Sequence, residues 1–206
     1  AIAFHCGLFN IGGEGQAYVA GLGVAIPCLW LDASMPWYVV FILVIFGSAL
    51  MGGLWALIPG YLQAKRGSHV VITTIMFNFI ASSLMVYLLI DVLKPRGSMS
   101  PETRTFAEGG HLPKLDWLFG PMGIDVGGSP LNLSFLLALV VSFIVWVIVW
   151  RTQFGYQIRT MGFSPSAARY AGMKEARIVI ITMVMSGALA GMMAINPIMG
   201  EQHRMQ

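Results

Sequence analysis

The chain has 206 residues, of which 57% are hydrophobic and only 10% charged, and its formal charge is +3. Soluble domains carry about 25% charged residues, so this composition excludes disorder, a collagenous chain, a disulfide scaffold and almost any soluble enzyme. What remains is an integral membrane protein. Twelve basic residues spread over loops between apolar spans are a signal of orientation rather than of nucleic-acid binding. Cys6 and Cys28 stand in apolar context and read as small buried hydrophobes, not as a redox or metal pair. A chain beginning at Ala1 and stopping at Gln206 beside an apolar run reads as part of something longer.

In chain order, residues 1–9 look like the tail of another span. Residues 16–31 form a shorter apolar stretch interrupted by Pro27. This predicts either a short tilted span or part of a helix broken within the membrane. The stretches 36–58, 70–90, 131–150 and 178–199 are uncharged, and each is long enough to cross a hydrocarbon core, which takes about 20 residues in helix. Their apolar residues do not alternate, and backbone amides in lipid must pair within their own segment, so the spans are helical and not barrel strands. The predicted fold is all-α: a polytopic helical bundle of about five spans, one domain over 1–206.

If each long run crosses once, the loops 59–69 and 151–177 share one side. They carry Lys65, Arg66, Arg151, Arg159, Arg169, Lys174 and Arg177. The segment 91–130 faces the other side, with Lys94, Arg96, Arg104 and Lys114 diluted by Asp91, Glu102, Glu108, Asp116 and Asp125. Basic residues favour the cytoplasmic face, which places 59–69 and 151–177 inside. The outer segment contains Pro95, Pro101, Pro113, Pro121 and Pro130 and reads as an ordered external loop or a partly mobile lid. Trp117 and Phe119 are placed there as interface anchors.

Small residues recur inside the spans: Gly47, Gly52 and Gly53 in one, Gly187 and Gly191 in another. The last two have the spacing that lets helix backbones approach closely. Between apolar stretches stands Asn10-Ile11-Gly12-Gly13-Glu14-Gly15-Gln16. A carboxylate near hydrocarbon needs a partner or water, so Glu14 marks either a polar loop at the membrane surface or a helix break beside a substrate cavity. In the second case Asn10 and Gln16 would offer amides to a polar solute. Thr74 and Asn78, four residues apart, share a helix face and either bond a neighbouring helix or line a hydrophilic path. In the loop 151–177, Ser164 can cap a short helix with Pro165 at its first position, and Gly172 can end it. Such a helix, with Arg159, Arg169 and Lys174 around it, is either a surface element or a docking knob for a cytosolic partner.

These segments carry a resemblance. Phe9-Asn10-Ile11-Gly12-Gly13-Glu14-Gly15-Gln16 resembles the fNIGxEGQ signature of the nucleoside and simple-sugar branch of bacterial ABC importer permeases, relatives of the branched-chain amino acid permeases. Ala64-Lys65-Arg66-Gly67-Ser68-His69, followed by Ile72-Thr73-Thr74-Ile75-Met76-Phe77-Asn78, resembles the next signature of that branch. Ser166-Ala167-Ala168 with Gly172 resembles the short Ala-Ala-x3-Gly loop through which such permeases meet their ATPase.

The resemblance implies a cytosolic ATPase, a second permease subunit and an extracytoplasmic solute-binding protein or lipoprotein as partners, in a bacterial inner membrane. It also implies further spans beyond Gln206. It assigns Asn10, Gly12, Gly13, Glu14, Gln16 and Asn78 to the substrate path, and Ser166, Ala167, Ala168, Arg169 and Gly172 to coupling. Two positions depart from the family pattern: Val70 stands where Glu is common, and His5 where Lys or Arg is usual.

No lysine follows a glycine, so the chain has no GxxxxGK[ST] loop. The expectation is therefore a passive conduit with no cofactor of its own, driven by ATP bound to a partner, carrying a nucleoside or, second, a simple sugar. An ion-coupled transporter would need more carboxylates in the spans than Glu14. A membrane-embedded enzyme would need a catalytic cluster, and His5, His69, His111 and His203 are scattered.

Overall fold

The computed structural model describes residues 2–95, 97, 100–115 and 131–206. Trp117 and Phe119 lie outside the described residues. Among the described residues eight α-helices follow in order: α1 (Ile2–His5), α2 (Gly13–Leu31), α3 (Trp37–Arg66), α4 (Val70–Tyr87), α5 (Leu133–Arg151), α6 (Gln153–Phe163), α7 (Pro165–Tyr170) and α8 (Glu175–Gly191). α4 continues through a π turn, Leu88–Leu93, and α8 through a 3-10 turn, Met192–Ala194, into a second π turn, Asn196–Glu201. Four of these helical runs, Trp37–Arg66, Val70–Leu93, Leu133–Arg151 and Glu175–Glu201, are long and apolar enough to cross a membrane.

Several boundaries differ from the sequence reading. α2 begins at Gly13 and passes through Pro27 without ending, because a proline within a helix removes one hydrogen bond while neighbouring turns hold. The interruption lies before α2, not at Pro27. α3 likewise absorbs Pro59 and continues to Arg66, so most of the expected loop 59–69 is helix. Residues 1–9 contribute only the single turn α1 before the chain bends at Gly7. The expected loop 151–177 is filled by α6, α7 and the start of α8.

α3, α8 and α2 form the packed centre. A Cβ on Gly52 would strike the Gly187 carbonyl, one on Gly187 would strike Ala56, and one on Gly191 would meet the Ser48 carbonyl. Gly23 and Gly47 make the equivalent approach between α2 and α3. Gly60 lies against Met183 at one end while Ser48 lies against Gly191 further along, so α3 and α8 are antiparallel. In lipid the oil itself does not drive helices together. Close backbone contact and dispersion do, and both need these small residues. Around this centre sit Val24, Val40, Val44, Ile195 and Met199 toward one end, and Ile2, Ile158, Ile178 and Met183 toward the other. α5 is different: among its residues only Val149 is buried.

The ends of the bundle away from α7 are tied by a clasp. Arg104 donates from both Nη atoms to Asp32, at 2.8 and 2.9 Å, and also to the Leu29 carbonyl. The Ala107 N–H donates to Asp32 at 2.7 Å. Thr103 and Phe106 donate backbone hydrogen bonds to Met205 and His203, so the described part of the outer segment is ordered against the chain's last residues. The hydrogen bonds from Arg104 hold the Asp32 carboxyl below the usual carboxylate range, with the Ala107 N–H acting in the same direction against burial.

Two outcomes are expected. In the full-length protein, Gly187→Leu overpacks the α3–α8 seam and lowers stability by about 1–3 kcal/mol, read as a fall in melting temperature in detergent. A carboxyl held low in the folded state contributes stability above its unfolded value, about 3.9, and loses it as pH falls through the folded value. Melting temperature should therefore drop on acidification below about pH 4, and this component of the drop should vanish in Asp32→Asn.

Candidate functional site

The segment 10–16 begins a helix inside the bundle. Asn78 lies about 12 Å along α4 from Val70, and Ser186 about 17 Å along α8 from Glu175, at 1.5 Å of rise per residue. Both touch this segment: the Gly15 N–H donates to Asn78 Oδ1 at 3.0 Å, and Asn10 Nδ2 donates to Ser186 Oγ at 3.0 Å. α2 therefore starts alongside interior stretches of α4 and α8, and the turn before it is packed between helices.

The break is closed by side-chain amides. Asn10 Oδ1 accepts from the Gly12 N–H at 2.9 Å and from Gln16 Nε2 at 3.2 Å, while Asn10 Nδ2 donates to Gln16 Oε1 at 3.1 Å. Asn78 Nδ2 donates to the Ile11 carbonyl at 3.1 Å. The first N–H groups of any helix lack an internal partner, and here Asn78 supplies one for Gly15. A Cβ on Gly15 would come within 2.8 Å of Asn78 Oδ1, so this approach requires glycine. Thr74 is fully buried and turns its hydroxyl back onto the Val70 and Val71 carbonyls. It shares the face with Asn78, as its spacing predicts, but its polar atom serves its own helix.

Glu14 and Gly13 differ from these amides. Gly13 has open space where a Cβ would be, and Glu14 is exposed, with no hydrogen bond or ion pair among the described residues. A carboxylate in the first turn complements the positive end of the α2 dipole. Gln16, by contrast, is 1% exposed. Asn10, Gln16 and Asn78 thus shape the break, and Glu14 faces outward from it. Two neighbours were missed from sequence: Ser186, one of two hydroxyls in the apolar run of α8, and Trp55, whose ring meets Phe77 edge-on with 5.5 Å between centroids. Neither residue type is distinctive in a span.

At the basic end, α7 is built as its sequence predicts. Ser164 Oγ accepts from the Ala167 N–H at 3.3 Å and Pro165 takes the first helical position. Gly172 ends the helix at φ +74°, with Gly172 N–H bonded to Arg169 O and Met173 N–H to Ala168 O, the pairing that satisfies terminal carbonyls through a left-handed residue. Ala168 is buried against Ile158 and Ile178, while Ser166, Ala167, Arg169 and Gly172 are exposed. Arg169 Nε is 2.8 Å from Glu175. Phe163 and Tyr170 project almost fully, at 88% and 95% exposure. The sequence reading did not single them out, because an aromatic residue beside a span carries no sign of which way it points.

Four helical runs long and apolar enough to cross a membrane are the make-up of a multi-pass membrane protein. The chain belongs to the branched-chain amino acid transport system / permease component family, which matches residues 1–199. It is 35% identical over 196 residues to the guanosine ABC transporter permease protein NupP of Bacillus subtilis, covering 93% of this chain and 52% of that relative. It is 32% identical over 198 residues to the nucleoside ABC transporter permease protein NupB of Lactococcus lactis (93% and 52%). To the glucose ABC transporter permease protein TsgB13 of Haloferax volcanii it is 29% identical over 212 residues (98% and 53%). The chain spans about half the length of these curated relatives. No solved structure matches it significantly.

Replacing Asn78 with Leu removes the partners that it gives the Gly15 N–H and the Ile11 carbonyl between packed helices. An unmet polar group costs about 1–3 kcal/mol, so Asn78→Leu should lower the melting temperature of the full-length protein. Asn78→Gln, which keeps the amide, should fall between the two.

Proposed function

We propose that this chain supplies part of the translocation path of an ATP-driven importer in a bacterial inner membrane, and that its solute is a nucleoside. The 35% identity to a guanosine permease across 93% of the chain carries this reading. The helix break supports it: a helix start inside the bundle gives a solute polar groups and a dipole end where the lipid offers none. Glu14 and Gly13 border the path, and Asn10, Gly12, Gln16 and Asn78 hold its wall in shape. The partners are a cytosolic ATPase, a second permease subunit and an extracytoplasmic solute-binding protein or lipoprotein. ATP is held by the ATPase and not by this chain.

In this mechanism the basic end faces the cytosol. α7, capped at both ends, stands between α6 and α8 with Tyr170 and Phe163 outward, as a knob for a groove on the ATPase. Closure of the ATPase dimer displaces α7, and α8 carries that movement toward Ser186 and the break as a rigid element. A simple sugar is the second reading, favoured by the identity to the glucose permease over 98% of the chain.

The test is uptake of labelled guanosine into vesicles holding the full-length complex, with and without ATP. Uptake that requires ATP and resists competition by glucose is expected. Uptake independent of ATP overturns the class, and inhibition by glucose but not by unlabelled nucleoside overturns the solute. Gly172→Arg places a residue with a Cβ in a left-handed position beside α7. It should leave ATP hydrolysis in place while abolishing uptake.

A further inference from the structure

Beneath the elbow where α5 turns into α6, a cavity of about 1000 Å3 opens toward the link between α7 and α8. Arg151, Arg159, Lys174 and Arg177 line it, and no carboxylate does. None of the four forms an ion pair among the described residues; the nearby Glu175 is engaged by Arg169. Two of the guanidinium groups are held by aromatic rings: Arg159 lies 4.5 Å from the Trp150 centroid and Arg151 5.6 Å from that of Trp146. Like charges gathered in one cavity repel, and nothing described in the protein neutralises them. A bound anion would.

We propose that this cavity binds the phosphate headgroup of an anionic phospholipid. Its composition is graded as a lipid requires. Trp150, Ile178 and Ile181 belong to the ends of α5 and α8 and offer an apolar wall at the level of the acyl chains, with the cations beyond them. The flank of α5 leading to it, Phe143, Ile144 and Trp146, is exposed and apolar, open to lipid along its length. Tryptophan beside clustered arginine and lysine is the composition of a membrane interface, and basic pockets between helices there take anionic headgroups. Phe163 at the end of α6 and Tyr170 at the end of α7 project outside the cavity, whereas Gly172 lies on its edge. The inference needs only that this end meets a bilayer surface, so it does not depend on the solute.

Native mass spectrometry of the full-length permease complex, titrated with phosphatidylglycerol or phosphatidylcholine, tests it. The wild type should prefer phosphatidylglycerol, and Arg159→Gln/Arg177→Gln should lose about fivefold in that preference for each cation removed. Arg159→Lys/Arg177→Lys should retain most of it. If the double glutamine variant does not assemble, the exposed Lys174→Gln should alone show the fivefold loss. Inorganic phosphate at millimolar concentration should not displace the lipid; if it competes fully, the site is a free-phosphate site and the lipid assignment falls. Unchanged preference in the glutamine variants overturns the proposal. So does loss of the co-purifying ATPase with lipid preference intact, which would make the cavity a protein dock. Uptake assays with guanosine can fail without altering any of these readings.

Discussion

A helix that starts inside a bundle of apolar helices must find partners for its first N–H groups within the protein. That constraint organises the centre of this chain. Asn78 on α4 answers the Gly15 N–H and the Ile11 carbonyl, Asn10 folds onto Gly12 and Gln16, and Ser186 on α8 receives the remaining Asn10 donor. Three helices and the turn are bound by one polar cluster in surroundings where each lost bond is costly. The glycines follow from the same need. Gly12 and Gly15 let the turn lie against Thr74 and Asn78 at distances a side chain would prevent.

Polar residues in a span invite assignment to a solute path. Here they divide by what their hydrogen-bonding atoms already do. Gln16 is buried and occupied, and Asn10 and Asn78 are occupied at both ends of their amides. Glu14 alone projects with its charge unmet by the described protein. Within one motif, the amides are consumed by the fold while the carboxylate is left exposed.

Much of this was legible in advance. The apolar runs, the Gly187–Gly191 approach and the Ser164–Gly172 helix follow from rules of length, small-residue spacing and capping that act locally. The family follows from motifs in order. What escaped sequence reading depends on contacts distant in the chain. Pro27 looked like an interruption, yet a packed helix tolerates it, while the true break needed Asn78 and Ser186 to hold it. Asp32 and Arg104 stand 72 positions apart and carry no motif. The length of α3 was underestimated because Gln63, Lys65 and Arg66 read as loop, although they extend a helix past the hydrocarbon.

Among the described residues, α5 is joined to its neighbours chiefly at its ends. At one, Asn132 and Ser134 hydrogen-bond Asn196; at the other, Thr152 caps α6 through the Gly155 N–H and bonds the Ile148 carbonyl. Between them a space of about 730 Å3 separates much of its inner flank from Leu189 and Met192. Tilting α3 would tear the glycine seam, whereas swinging α5 about its two fastened tips disturbs little tightly packed surface. Among the described residues the bundle thus sets a glycine-seamed pair of helices beside one held mainly at its tips.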